Sequence, residues 1–366
     1  MSTGERLQAI DLRRVRAVSG MRRWWSRLPR GTRFAVLAVV AVLLYLLPVL
    51  NPPIITTPDS DFATVLFTVT TYCLAALGLN VVVGMAGLLD LGYVGFYAVG
   101  AYSVAMFASP SSSIATKYPW LVCVPIAIAL SMIAGAILGG PTLRLRGDYL
   151  AIVTLGFGEI VRLSAVNSPG LGAAAGITSI PHPPGALNGQ PIFSVLDAKP
   201  YYWLGLTLVF VVVALVRNIE NSRVGRSWLA IREDEDAAEL MGVPTFKFKL
   251  WAFAIGAAVG GLSGAMFAGK QGFVSPDSFP VLTSVLFLAA VVVGGAGNRL
   301  GVIVGAIAVA YLPERFRGFQ NSRYMIFGLA LILMSIFRPQ GLIPNRRREV
   351  ELADRKLDEV GVEVNA

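Results

Sequence analysis

Charged residues gather in a few short stretches of this chain and are missing from the rest. Residues 34–50, 62–89, 91–116, 118–143, 200–216, 250–269 and 278–298 contain no Asp, Glu, Lys or Arg. About 20 apolar residues in a helix cross the hydrocarbon core of a bilayer, so these runs are of membrane-spanning length. The pattern predicts an all-α, polytopic integral membrane protein with about ten transmembrane helices, some of them broken or re-entrant. No polar linker divides residues 34–337. Residues 34–338 therefore read as one transmembrane domain between a basic tail, 1–33, and a second tail, 339–366.

Composition excludes the soluble alternative. Of 366 residues, 55% are hydrophobic and 14% are charged, against roughly 25% charged in a soluble domain. The 38 glycines suit helices that approach one another through small residues in lipid. The balance of 31 basic and 22 acidic residues gives 31 − 22 = +9. Because the bases sit mostly at the ends of apolar runs, they set orientation in a bilayer, and no nucleic-acid partner is expected. Cys73 and Cys123 fall inside apolar runs and read as small packing residues. The sequence Pro48-Val49-Leu50-Asn51 after the first run is no small-residue cleavage site, so no removable signal is expected.

Charge also predicts sidedness. Nine arginines fall in the first 33 residues against Glu5 and Asp11, which puts the N-terminus in the cytoplasm. Leu7, Ile10, Val15 and Val18 interleave with them, as in an amphipathic helix on the inner leaflet or in a disordered basic tail. Counting onward, 51–61, 109–119, 167–199 and 270–280 fall outside. The turns at 84–92, 144–148 and 298–300, the loop 217–249 and the tail with Arg338, Arg346, Arg347 and Arg348 fall inside. One segment breaks the rule: 313–323 carries Arg315, Arg317 and Arg323 against Glu314 yet counts as outside. Tyr118, Trp120, Tyr201, Tyr202 and Trp203 are expected at the outer interface, and Trp24, Trp25 and Trp251 at the inner one.

Enzyme motifs fail. Gly264-Ala-Met-Phe-Ala-Gly269-Lys270-Gln271 matches a phosphate loop except that Gln271 replaces the magnesium-binding Ser or Thr, and no strand precedes it. A lone His182 and two scattered cysteines offer no metal or triad chemistry. Four other features carry more. Residues 78–102 are punctuated by glycines at 78, 84, 87, 92, 95 and 100, and a helix break in a membrane is tolerated only where backbone faces protein or a water-filled path. Asn80, Asp90, Tyr93 and Tyr97 in this stretch are therefore candidates to line a translocation route, Asp90 being a charge that must find water or a partner. The same glycines also suit a tight inner turn followed by a small-residue packing face. Val291-Val-Val-Gly-Gly-Ala-Gly297 repeats Val81-Val-Val-Gly-Met-Ala-Gly87 at six of seven positions, a hint of internal duplication.

Glu159 lies eleven residues beyond Asp148, or about 16 Å of helix rise, near mid-membrane. An uncompensated charge there costs at least ~2.5 kcal/mol. The i,i+3 spacing lets Arg162 neutralise it, either as part of the route or as a pair that holds helices together. The loop 217–249 is the one long connection counted as cytoplasmic and carries six acids among its bases. In it, 236–242 reads as a short helix that ends at a glycine, with Trp228, Leu229 and Ile231 upstream.

These residues carry a resemblance. Asp236-Ala237-Ala238-x-x-x-Gly242 resembles the EAA loop by which permease subunits of bacterial ABC importers dock on their ATPases, with Asp for the family's Glu. Residues 78–102 are similar to the signature of branched-chain amino acid permeases. Residues 144–160, 222–242, 292–305 and Phe337-Arg-Pro-Gln-Gly-Leu342 continue the likeness, which covers roughly 62–344. The resemblance implies a permease in the bacterial inner membrane that imports Leu, Ile or Val delivered by an extracytoplasmic binding protein. Its implied partners are a homologous second permease and two ATP-binding subunits, which use the ATP; this chain itself is expected to bind no cofactor and to have no catalytic residues. Related permeases carry urea or other amino acids. The competing class is an ion-coupled secondary transporter or channel, in which Asp90 and Glu159 serve as ion sites.

Overall fold

The computed structural model describes residues 29–53, 55–56, 61–143, 145, 147–187, 190–315, 325, 328–329, 332 and 341–343. Nearly all of the two tails, the 316–323 part of the charge-breaking segment, and Arg144, Arg146 and Arg338 lie outside the described residues. Eleven α-helices lie among the described residues: α1 (Arg30–Leu50), α2 (Phe62–Leu79), α3 (Val94–Ala108), α4 (Trp120–Thr142), α5 (Asp148–Asn167), α6 (Lys199–Glu220), α7 (Arg223–Glu233), α8 (Glu235–Leu240), α9 (Thr245–Gln271), α10 (Val281–Gly294) and α11 (Arg299–Arg315). The sheet structure described is one two-residue hairpin, β1 (Ala186–Leu187) and β2 (Gln190–Pro191), with Ala186 opposite Pro191, and an isolated bridge between Ile177 and Val274.

Six helices are long and apolar enough to cross a membrane: Phe62–Met85, Trp120–Thr142, Tyr149–Asn167, Lys199–Glu220, Thr245–Gln271 and Pro276–Gly294. Ala38–Leu50 and Val94–Ala108 are shorter apolar helices. The protein is thus helical and multi-pass. α3 is shorter than the apolar run that encodes it because Ser109 takes an extended conformation. The Ser112 hydroxyl then turns back onto the Met106 carbonyl at 2.5 Å, an alternative to the helical ladder that serine offers at helix ends.

α1 stands as a unit by itself, closed by Asn51 in a left-handed conformation whose N–H donates to the Leu47 carbonyl at 3.2 Å. In the remainder, α2 and α9 are the inner helices. α2 is capped by Asp61, whose carboxylate accepts from the Thr64 N–H at 3.1 Å, and it is buried except along the line of Thr64, Thr68 and Tyr72. α9 is read as packing through glycines, and a Cβ at Gly264 would collide with the Tyr97 carbonyl of α3. The phosphate-loop look-alike 264–271 is therefore the last two turns of a packed helix.

The connections gather at two ends, in the alternation that the charges predict. At one end Arg232 of α7 reaches the Gly84 carbonyl, Arg299 pairs with Glu220 at 2.9 Å, and the Ile343 N–H donates to the Gly294 carbonyl at 3.1 Å. At the other, Ser111 donates to the Thr178 carbonyl at 2.7 Å and Lys270 to the Val195 carbonyl at 2.8 Å. The aromatic expectation is corrected here. Tyr118, Trp203 and Trp251 are exposed, but Trp120, Tyr201 and Tyr202 are buried. The 168–199 connection folds back and gives the Tyr201 hydroxyl internal partners, His182 Nδ1 at 2.7 Å and the Gly269 carbonyl at 3.1 Å, so the ring has no need of a wet interface.

Candidate functional site

The glycine-punctuated stretch is broken as its sequence predicts. α2 widens at Asn80–Met85 into a π-helical segment, a form that concentrates at functional positions. Leu88 N–H donates to the Val82 carbonyl at 3.1 Å, and the chain then turns through Gly87 at φ +74°, a conformation that glycine adopts without steric cost. The second copy of the motif breaks in the same place. α10 ends at Gly294, and Gly295 and Gly297 have φ +109° and +87°. The two breaks touch: Asn80 Oδ1 accepts the Gly297 N–H at 2.8 Å across 217 residues of sequence. Asn80 is fully buried and its amide nitrogen has no partner.

Asp90 is also fully buried. Its Oδ1 accepts the Gly92 N–H at 2.9 Å and its Oδ2 has no partner. Burial raises the carboxyl above the usual range, opposed by the Gly92 N–H and the Thr154 hydroxyl. The Thr154 hydroxyl accepts the Leu91 N–H at 3.0 Å, which ties this loop to α5. Tyr93 donates to the Gly256 carbonyl at 2.7 Å. Tyr97 sits in an aromatic nest with Phe267, Phe279 and Phe287, each ring 5.6 Å away. Asn80, Asp90, Tyr93 and Tyr97 are all closed off from solvent in this conformation.

Glu159 and Arg162 form the pair that the i,i+3 spacing predicts, with Arg162 Nε 2.7 Å from Glu159 Oε2. They are not brought to the first four residues. They lie on α5 with about a third of each side chain exposed, 29% for Arg162 and 35% for Glu159. Tyr149, Ile152, Ile160 and Leu163 of the same helix are exposed as well.

The loop 217–249 folds as two short helices. Ser222 caps α7 and Asp234 caps α8, the latter accepting the Ala237 N–H at 2.9 Å. α8 ends in paired backward hydrogen bonds, Gly242 N–H to the Glu239 carbonyl (2.9 Å) and Val243 N–H to the Ala238 carbonyl (3.0 Å). Gly242 has φ +82°, the left-handed ending that its sequence predicts. Asp236 and Ala237 are exposed, while Ala238 is buried in the chain itself. Four contributors were not visible in the sequence. Leu240 and Met241 project into solvent, 88% and 85% exposed, and Glu235 forms an ion pair with Lys249, which is 2% exposed. That pair borders a cavity of about 290 Å3 also lined by Gly87, Leu88 and Leu89.

The family described as branched-chain amino acid transport system / permease component matches residues 62–335. The chain belongs to this permease family. The permease is 40% identical over 333 residues, 85% of this chain and 76% of that protein, to the high-affinity branched-chain amino acid transport system permease protein LivM of Escherichia coli (strain K12). It is 41% identical over 303 residues, 77% and 69% of the two chains, to LivM of Salmonella typhimurium. It also matches the high-affinity branched-chain amino acid transport system permease protein LivH of Escherichia coli (strain K12), at 23% identity over 77% of this chain and 93% of that one. No solved structure matches the chain.

Proposed function

We propose that this chain is the translocation subunit of an ATP-driven importer that moves Leu, Ile or Val from an extracytoplasmic binding protein into the cytoplasm. Its likeness to LivM and, more distantly, to LivH supports pairing with a homologous second permease. In this reading the assembly sits in the bacterial inner membrane, two ATP-binding subunits hydrolyse the ATP, and this chain binds no cofactor. Nine helices, α1–α6 and α9–α11, supply spans in a bundle of about ten, and both termini and 217–249 face the cytoplasm. Asn80, Asp90, Tyr93 and Tyr97 line the route when it opens, and Glu159 and Arg162 border it or hold it together.

The observation that carries the ATP-coupled reading is α8. A six-residue helix capped at both ends leaves Leu240 and Met241 exposed among the described residues, and a cleft in an ATPase subunit would bury them. Burying each is worth about 1.5–3 kcal/mol. Asp236 and Ala237 complete that face, and Gly242 and the inward-turned Ala238 shape the helix behind it. The test compares Leu240→Asp, Met241→Asp and Gly242→Val for membrane insertion, ATPase copurification and leucine uptake. Normal insertion with lost copurification and uptake is expected. Wild-type uptake in all three would remove the coupling assignment.

A further inference from the structure

We propose that Arg232 is the positioning residue through which movement of the coupling loop enters the helix break. Its bond to the Gly84 carbonyl persists through the transport cycle and carries the π segment along with α7. The inference rests on the reading of 217–249 as the ATPase-docking loop.

The backbone of the break explains why an arginine is needed. In a regular helix the Gly84 carbonyl would accept the N–H of residue 88. Here Leu88 N–H is drawn to the Val82 carbonyl at 3.1 Å, and the guanidinium of Arg232 takes its place at Gly84. A charged donor makes this the stronger kind of hydrogen bond. The stem of Arg232 runs against Gly87, where an added Cβ would lie 2.7 Å from its Cγ. Both ends of the link are held. On the loop side, Trp228 is fully buried and its indole N–H donates to the Phe248 carbonyl at 2.7 Å. Asp234 alone separates α7 from α8 and caps α8 through the Ala237 N–H at 2.9 Å, so a push on α8 moves α7. On the membrane side, Asn80 opens the same π segment and holds the Gly297 N–H at 2.8 Å. A displacement of Gly84 is thereby felt at the second helix break. Helix termini and packed side chains joined in this way have few intermediate positions and pass on a step rather than absorb it.

The experiment uses the whole transporter in proteoliposomes with loaded binding protein, and reads leucine transported per ATP hydrolysed. Arg232→Ala should leave the ATPase bound and hydrolysing but lower that ratio about tenfold, the scale of one lost charge-assisted bond. Arg232→Lys, which keeps a charged donor, should recover part of it. A wild-type ratio in Arg232→Ala overturns the proposal, and so does loss of ATPase binding, which would make Arg232 a docking or folding residue. A second variant is independent of folding yield. With Cys73 and Cys123 replaced, Gly87→Cys with Arg232→Cys sets two Cβ atoms about 3.1 Å apart, a few tenths short of the ~3.5–4.5 Å of a disulfide. Reduced, this protein should be uncoupled. Oxidised, the covalent link should replace the arginine and raise the ratio about tenfold, reversibly with dithiothreitol. A formed disulfide with no gain overturns the proposal. Met241→Asp run in parallel separates the two claims: its wild-type copurification would sink the docking reading, whereas its failure beside a normal Arg232→Ala would sink this inference alone.

Discussion

Removing either partner of the Glu235–Lys249 ion pair should have unequal consequences, and the structure says which is larger. Lys249 is 2% exposed, at the start of α9, and its Nζ meets Glu235 Oε1. The Glu235 side chain is 27% exposed, borders the cavity and stands in the first turn of α8. Glu235→Gln strands a buried ammonium, a change that costs about 3–5 kcal/mol in buried pairs; the cavity gives water some access, which points to ~3. It also removes an acid from a helix N-terminus, a further ~0.3–1 kcal/mol. Lys249→Met keeps most of the stem volume and leaves a carboxylate that can reach water at the favourable end of α8, so its cost should stay near ~1 kcal/mol. The double variant should be about as stable as Lys249→Met alone, a coupling of about 3 kcal/mol between the two sites. Unfolding by detergent titration in mixed micelles measures all four proteins. Equal losses in the two single variants, or a larger loss in Lys249→Met, would refute the reasoning.

Asp90 gives a pH prediction. Burial raises its carboxyl, so its contribution to stability is present below the ordinary carboxylate value of about 3.9 and is lost as pH rises through the raised folded value; Asp90→Asn should flatten that fall, and an unchanged slope would assign it to other groups. Glu159→Gln and Arg162→Gln should each lower folded yield more than the double change does, because either alone leaves a charge within a span, while additive losses would mean that the 2.7 Å contact carries no coupling. Single cysteines in 167–199 should react with an impermeant thiol reagent in intact cells while those in 217–249 should not; the opposite labelling would invert the topology.

What the sequence disclosed and what it hid divide by distance along the chain. The ending of α8 at Gly242 and the Glu159–Arg162 pair depend on neighbours within one or two turns, and local spacing was enough to read both. The break after α2 was legible because glycine is costly inside a helix and six of them in one apolar stretch demand a reason. Its π-helical form was not, since widening a turn depends on what waits to bond the freed carbonyl, and that group, Arg232, comes from 148 residues further on. The misplaced aromatics show the same limit. Tyr201 has the composition of an interfacial residue, and only the return of 168–199 over the helix ends, bringing His182, gives its hydroxyl a partner inside the fold.

The repeated motif joins these two scales. Val81–Gly87 and Val291–Gly297 look alike because each ends a long apolar helix at a glycine turn, Gly87 at φ +74° and Gly297 at φ +87°. Were they equivalent, either could serve as the contact for the 217–249 loop. They differ in what precedes and what meets them. The first copy follows Asn80 and is held by Arg232; the second follows Ala290 and is held by the Leu342 N–H, 2.7 Å from the Val293 carbonyl, and the Ile343 N–H at Gly294. The Asn80–Gly297 bond couples the two. One break is therefore tied to a loop that projects apolar side chains into water, the other to the chain's own later segment. If α8 docks on an ATPase as proposed, a step taken there enters at the first break through Arg232 and reaches the second through the Asn80–Gly297 bond, while the backbone of 342–343 holds the far side of the second.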